Sequence, residues 1–266
     1  MIRLVIAGAG GRMACRIMTL ALQSKAFSIA GAFEAKDHPA VGKSVGALLG
    51  VEGLPVRIVS NAEEAIAKGD VLIDFTHASA TPAHVRISEA SRKAMVIGTT
   101  GLEAKSLAAI KKAAKTIPIV QSPNMSAGVN LLFNVVEKVA ATLGEEYDIE
   151  IVETHHRHKK DSPSGTALEL ARRAALGRKI DLEKEAVYGR KGFTGERKKG
   201  TIGIHAVRGG DVVGEHIVSF LAEGELLELT HRATSRDAFA QGALLAARFV
   251  AGKKNGLYTM HDVLGL

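Results

Sequence analysis

The chain has 266 residues, 46% hydrophobic and 24% charged, which is enough for one large core or two ordinary domains and too apolar for a disordered polymer. Thirty-five Lys and Arg against 28 Asp and Glu leave a formal charge of +7, which favours anionic partners without identifying one. With no Trp, 4% aromatic residues and basic side chains scattered among acidic ones, the stacking platforms of a nucleic-acid surface are missing, so no nucleic-acid partner is expected.

The opening MIRLVIAGAGG is a short apolar run punctuated by glycine rather than a signal peptide. No stretch approaches ~20 uninterrupted apolar residues, so a soluble cytoplasmic protein with no membrane partner is expected. The single Cys15 fits a reducing compartment and reads as a small structural side chain rather than a nucleophile.

Residues 2–7, IRLVIA, predict a short buried strand, and GAGGRM turns the chain into a helix with Met13, Ile17, Leu20 and Ala21 on adjacent turns. Apolar runs at 27–33, 56–59, 71–75, 94–97 and 117–120 alternate with helix-compatible segments, the pattern of a mostly parallel α/β sheet covered on both faces. A helix from Ser126, with Val129, Leu132, Phe133, Val136 and Val139 on one stripe, leads out of this first domain. Strand-like segments at 148–154, 201–207, 213–221 and 225–230, with a helix near 166–175, predict a second, more antiparallel α+β domain. GRKGFTGERKKGTIG between them reads as a mobile, solvated basic loop. The last helical segment, AFAQGALLAARFVA, is weakened by Gly242 and is expected to return to the first domain. The expected bounds are 1–126 for a dinucleotide-binding domain, 127–236 for the second domain and 237–266 for the return.

Gly8, Gly10 and Gly11 follow a strand and open a helix, a context in which backbone N–H groups can approach a pyrophosphate; a purely structural turn is the alternative. Gly8 and Gly10 match the first pair of the GxGxxG fingerprint, but Met13 stands where its third glycine would be. Glu34 lies 24 residues after Gly10, at the end of the second strand, where a carboxylate hydrogen-bonds the adenine ribose and favours NADH over a 2′-phosphate. Arg12 and Lys36 supply compensating positive charge that keeps NADPH open, with a solvated Lys36 as the alternative. GTTG at 98–101, the Asp74, Phe75 and Thr76 turn, and Ser122 to Met125 all fall at the carboxyl edge of the same sheet, where they flank a nicotinamide or serve as ordinary caps and turns.

The densest polar segment is ETHHRHKKDSPSGTA, residues 153–167. Ser164, Gly165 and Thr166 offer hydroxyls and consecutive N–H groups to a carboxylate at a helix start, or a simple helix cap. His155, His156 and His158 are too crowded, and lack a spaced Cys or carboxylate partner, to make a metal set, so no metal is expected. Beside a hydride donor, a His and a Lys here serve as a proton donor and as a cation for an imine nitrogen.

GAGGRM, GTTG, SPNMSAGVN and above all ETHHRHKKDSPSGTA closely resemble the 4-hydroxy-tetrahydrodipicolinate reductase family, also called dihydrodipicolinate reductases, over essentially the whole chain. The resemblance implies a Rossmann-type dinucleotide-binding domain with a second α+β substrate and oligomerisation domain, and a cytoplasmic homotetramer assembled through the sheets of those second domains. It implies reduction of 4-hydroxy-tetrahydrodipicolinate, a dicarboxylate cyclic imine, to tetrahydrodipicolinate and water with NADH or NADPH, in the diaminopimelate branch of lysine biosynthesis. Within the motif it makes His155 the catalytic proton donor and acceptor, Lys159 a proton donor and His156 a substrate contact. Gly165 and Thr166 would bind a substrate carboxylate, supported by Ser164 and by Arg157 and Lys160. The nucleotide residues carry over as Gly8, Ala9, Gly10, Gly11, Arg12, Met13, Glu34, Gly98, Thr99, Thr100, Ser122, Pro123, Asn124 and Met125. Where some relatives follow the ribose-contacting acid with Arg, this chain has Ala35, which weakens 2′-phosphate binding. The substrate's acidic groups are expected to enter a basic cleft whose closure excludes water. Another nicotinamide-dependent amino- or keto-acid reductase, or a non-catalytic dinucleotide sensor, are the competing readings.

Overall fold

In the computed structural model, which describes residues 1–266, the first strand buries residues 4–7 on both of its faces. The elements run β1 (Ile2–Ala7), α1 (Arg12–Leu22), β2 (Phe27–Phe33), α2 (Val45–Leu49), β3 (Ile58–Val59), α3 (Ala62–Ala67), β4 (Val71–Asp74), α4 (Thr81–Ala90), β5 (Ala94–Ile97), α5 (Ala104–Ala113) and β6 (Pro118–Gln121). They continue as α6 (Ala127–Leu143), β7 (Asp148–His155), α7 (Gly165–Arg178), α8 (Leu182–Glu185), β8 (Ala186–Tyr188), β9 (Ile202–Arg208), β10 (Gly214–Ala222) and β11 (Glu225–Ala233). The chain ends with α9 (Asp237–Val250), β12 (Gly256–Tyr258) and α10 (Met260–Leu264). It divides into two units, Met1–Ala127 with Arg236–Leu266, and Gly128–Ser235.

The first unit is a seven-stranded parallel sheet of order β12-β6-β5-β4-β1-β2-β3. Alternate residues of each central strand serve opposite cores: Leu4, Ile6, Val71, Ile73 and Val96 face α1 and α9, while Val5, Leu72, Met95 and Ile97 face α3, α4 and α5. Burial on both sides is why these strands read as continuous apolar runs. β3 is shorter than its apolar run because Arg57 bridges Ser44 and the Val56 carbonyl accepts the Val45 N–H, leaving Ile58 and Val59 for the sheet. Helix α9 packs on α1, β4, β5 and β6, and Arg16 of α1 holds Asp237 with two bonds of 2.7 Å. Gly242 is required there: a Cβ at this position would lie 1.7 Å from the Met125 carbonyl oxygen.

The second unit is a five-stranded sheet of order β11-β10-β7-β9-β8. It is mixed, and so more antiparallel than the first: β10 pairs antiparallel with β11 and β7, whereas β7–β9 and β8–β9 are parallel. One face carries Ile149, Ile151, Ile202, Ile204, Val218 and Phe220 against α6 and α7. On the other, Glu150 takes hydrogen bonds from Arg190, Arg197 and His205. The loop expected to be solvated is therefore anchored, with Arg197 also bound to Asp148 at 2.6 Å and to the carbonyls of Ile149 and Thr201. No helix is long and apolar enough to cross a membrane.

Candidate functional site

In the first unit the glycine turn joins β1 to α1. Gly8 adopts φ of +64°, open to glycine at no steric cost, and a Cβ there would meet Thr76 Cγ2 at 2.9 Å. Gly10 is needed for a different reason, since its Cβ would lie 2.2 Å from the His38 ring. The Ala9, Gly10 and Gly11 amides donate to Phe33, Glu34 and Gly8, so the amides left for an anion are those of the first turn of α1, from Arg12 and Met13 onward. Glu34 closes the turn from the end of β2, accepting the Gly10 N–H at 3.0 Å and the Ala35 N–H at 2.9 Å. A cavity of about 470 Å³ opens here, lined by Gly8, Gly11, Glu34, Lys36, Ser60 and His77 among others. A side-chain-free turn, a helix N-terminus and a carboxylate beside one cavity fit a dinucleotide.

Behind the turn, Asp74 at the end of β4 is fully buried. It accepts bonds from the Thr76 hydroxyl at 2.6 Å, the Thr76 N–H at 3.0 Å and the Thr99 hydroxyl at 3.2 Å, and pairs with His84 Nδ1 at 2.9 Å. Burial alone would raise the Asp74 carboxyl, and these bonds, His84 first, hold it below its ordinary value. Thr99 is thus buried in a structural network, while Thr100 beside it is exposed. Gly98 is buried with Phe75 where a Cβ would be. Ser122 is buried and donates to the Asn124 carbonyl at 2.8 Å, Pro123 is exposed, and the Met125 side chain belongs to the core. Met13 also packs against that core, which is what the missing third glycine becomes here.

In the second unit the chemical segment runs from the end of β7 to the start of α7. Glu153 and His155 alternate on one strand and so share a face. The Glu153 carboxylate is fully buried and meets His155 Nδ1 at 2.5 Å, both terminal nitrogens of Arg208 at 2.7 Å, and the Ser164 N–H at 2.9 Å. Burial pushes the His155 imidazole below its ordinary value of 6.5, against the opposing pull of Glu153 and with Lys159 and Arg208 lowering it further. Lys159 is half-buried, its ammonium held by both Asp161 oxygens at 2.9 Å. His156 Nδ1 is buried without a hydrogen-bond partner, whereas Arg157, His158 and Lys160 are exposed.

Ser164 is the N-cap of α7: its hydroxyl accepts the Ala167 N–H at 3.2 Å and is bonded to His216 Nε2 at 3.1 Å. With its N–H on Glu153 as well, Ser164 is occupied by the fold, and the exposed Gly165 begins the helix. Burial, then the nearby His155 charge, press His216 down to about 3, so it is neutral at neutral pH. Glu153, Arg208 and His216 were not among the residues singled out from the sequence. The Glu153 signal was present, two residues before His155 on a strand, but no local pattern marks Arg208 or His216.

The parallel sheet with its glycine turn and ribose-type carboxylate defines a Rossmann-type dinucleotide-binding protein with a second α+β unit. Two family models, described as dihydrodipicolinate reductase N-terminus and C-terminus, match residues 2–125 and 128–264. The chain belongs to the dihydrodipicolinate reductase family. It is 48% identical, across 100% of its length and 99% of the relative, to the 4-hydroxy-tetrahydrodipicolinate reductase of Syntrophus aciditrophicus, and 49% identical to that of Desulfotalea psychrophila with the same coverage. Its fold is similar to that of a dipicolinate-bound dihydrodipicolinate reductase from Paenisporosarcina sp. TG-14, with a TM-score of 0.77 at 24% identity over 98% of each chain. An amine dehydrogenase from Mycobacterium smegmatis shares it less closely, with a TM-score of 0.62 at 13% identity over 97% of this chain and 95% of the other. Family and fold together imply a nicotinamide cofactor.

Proposed function

We propose that this protein reduces 4-hydroxy-tetrahydrodipicolinate to tetrahydrodipicolinate and water with NADH or NADPH, in the diaminopimelate route to lysine. The observation that carries the reading is full-length membership of the family, with His155 and Lys159 on one strand-to-helix connection.

Substrate and product are both tetrahydro compounds, so the net change is at ring carbon 4, where a C–O bond is replaced by C–H. Loss of water takes the hydroxyl from C4 and a proton from C5, leaving an alkene conjugated to the ring imine. A bound dihydronicotinamide supplies the hydride for C4. Electrons then move toward the imine nitrogen, which serves as the electron sink. In this reading Lys159 holds its cation at that nitrogen, lending it a proton that returns to the amine as His155, which took the first proton from C5, delivers one back there. Gly165 and Thr166 at the start of α7 receive one ring carboxylate, with His156 as a further substrate contact and Arg157 and Lys160 as surrounding positive charge.

On the nucleotide side, Glu34 takes the ribose hydroxyls, the Arg12 and Met13 amides the pyrophosphate as it lies against the close turn from Gly8 to Gly11, and the loops at Gly98 to Thr100 and Ser122 to Met125 the nicotinamide end. The working form is a cytoplasmic homotetramer; exposed Val207, Leu221 and Leu226 on the open face of the second sheet support assembly there, which light scattering would test.

The deciding experiment is the initial rate of NADH and NADPH oxidation with freshly generated 4-hydroxy-tetrahydrodipicolinate. Rapid turnover that falls sharply in folded His155→Gln and Lys159→Ala is expected. No substrate-dependent oxidation by intact protein rejects the enzyme and favours a cofactor sensor or another reductase substrate.

A further inference from the structure

Two side chains with no direct part in the proton transfers hold those that have one. The parallel register of β7 and β9 sets His155 opposite Arg208, which brings the guanidinium onto both oxygens of the buried Glu153 carboxylate. A buried carboxylate is costly unless its lone pairs are filled, and Arg208, His155 and the Ser164 N–H fill them here. An ionised carboxylate only accepts, so the 2.5 Å bond places the His155 proton on Nδ1 and leaves Nε2 for the reaction. Arg208 also donates to the Asp161 carbonyl at 2.8 Å, and Asp161 grips the Lys159 ammonium. One guanidinium from a distant strand therefore ties the support of His155 to the support of Lys159.

We propose that Glu153 and Arg208 are a positioning pair: Glu153 fixes the tautomer and aim of His155, and Arg208 anchors that carboxylate while locking the Lys159 loop to the same strand. The proposal rests on the roles given to His155 and Lys159 above. The titratable and charged groups set around the His155 ring are Glu153 on β7, Arg208 on β9, His216 on β10, and Lys159 on the connecting loop, itself held by Asp161. Glu153 is the largest influence favouring the protonated ring.

The test compares kcat, KM for the 4-hydroxy substrate, NADH affinity and the kcat pH profile of wild type, Glu153→Gln, Glu153→Asp, Arg208→Lys and His155→Gln. In Glu153→Gln, kcat is expected to fall about a hundredfold with KM and NADH affinity within about twofold, and the alkaline limb to move to lower pH. Glu153→Asp, which keeps the charge, restores the limb and part of the turnover, and Arg208→Lys lies between. Wild-type kcat in Glu153→Gln while His155→Gln is impaired overturns the positioning pair and leaves the His155 reading standing. Wild-type kcat in His155→Gln removes both. If Glu153→Gln does not fold, nitrogen-15 NMR of the wild-type histidines decides, with His155 assigned by its loss in His155→Gln. Neutral His155 protonated on Nδ1 supports the pair, and protonation on Nε2 overturns it.

Discussion

The Glu34 carboxylate accepts the Gly10 amide at 3.0 Å across 24 residues of sequence, which welds the end of β2 to the nucleotide turn. A 2′-phosphate brought to this carboxylate meets like charge, and Lys36, exposed on the same cavity, is the available counter-charge. NADH is therefore expected to be at least as effective as NADPH. Lys36→Ala should lower kcat/KM for NADPH about fivefold, the worth of one exposed ion pair, and leave NADH within about twofold. Saturation curves with both cofactors decide it; an unchanged NADPH value removes Lys36 from the site.

The same link shows what can be read from a chain and what cannot. β5 is visible residue for residue because a parallel strand buried on both faces must be apolar throughout, and β2 because its run is broken only by the half-buried Ser28. Glu34 is visible because strand length fixes its distance from the glycine turn. β8 and β12 are three-residue edge strands whose pairing is wholly tertiary, so nothing local announces them. The second sheet is more antiparallel than the first, as read, but the parallel pairing of β9 was not legible, because alternation fixes which face a residue takes and not the direction of its partner. Arg208 is invisible for a related reason, since the register that carries it to Glu153 joins segments 55 residues apart. The propensity cost of Gly242 was legible, but its reason, the Met125 backbone, was not.

Gly242→Ala is accordingly expected to destabilise although alanine is the better helix former. A Cβ 1.7 Å from the Met125 oxygen must displace backbone, and overpacking of this kind costs about 1–3 kcal/mol, against ~1 kcal/mol gained in helix propensity. A thermal melt should show Tm lowered by a few degrees; a raised Tm means that α9 moves freely enough to take the methyl.

Glu150 sets a pH dependence. Burial alone would raise its carboxyl, but bonds from Arg190, His205 and Arg197 hold it at about 2, against an ordinary 4.5. A depressed folded-state value means that its stabilisation is complete above pH 4.5 and is lost as pH falls through about 2. Glu150→Gln should melt below wild type at pH 7, and the gap should close between pH 4.5 and 2. Parallel melts across that range check it; a gap independent of pH assigns the loss to packing around Gly203, whose missing Cβ makes room for the Glu150 carboxylate.

Gly214 bears on turnover through His155. A Cβ at this buried position would lie 3.0 Å from His155 Nε2, tighter than ordinary contact, so the ring must shift by a few tenths of an ångström. Its Nδ1 is held at 2.5 Å by Glu153, and the shift must stretch or bend that bond. Small misplacements of a proton-transfer group are expensive in rate, so Gly214→Ala should lower kcat about tenfold. NADH affinity, set by the separate nucleotide unit, should be unchanged. Single-turnover rates with NADH, read beside a fluorescence titration of the cofactor, separate the two effects. A folded Gly214→Ala enzyme with wild-type kcat shows that the reaction tolerates a displaced imidazole, which would weaken the case for His155 as the group that moves the proton.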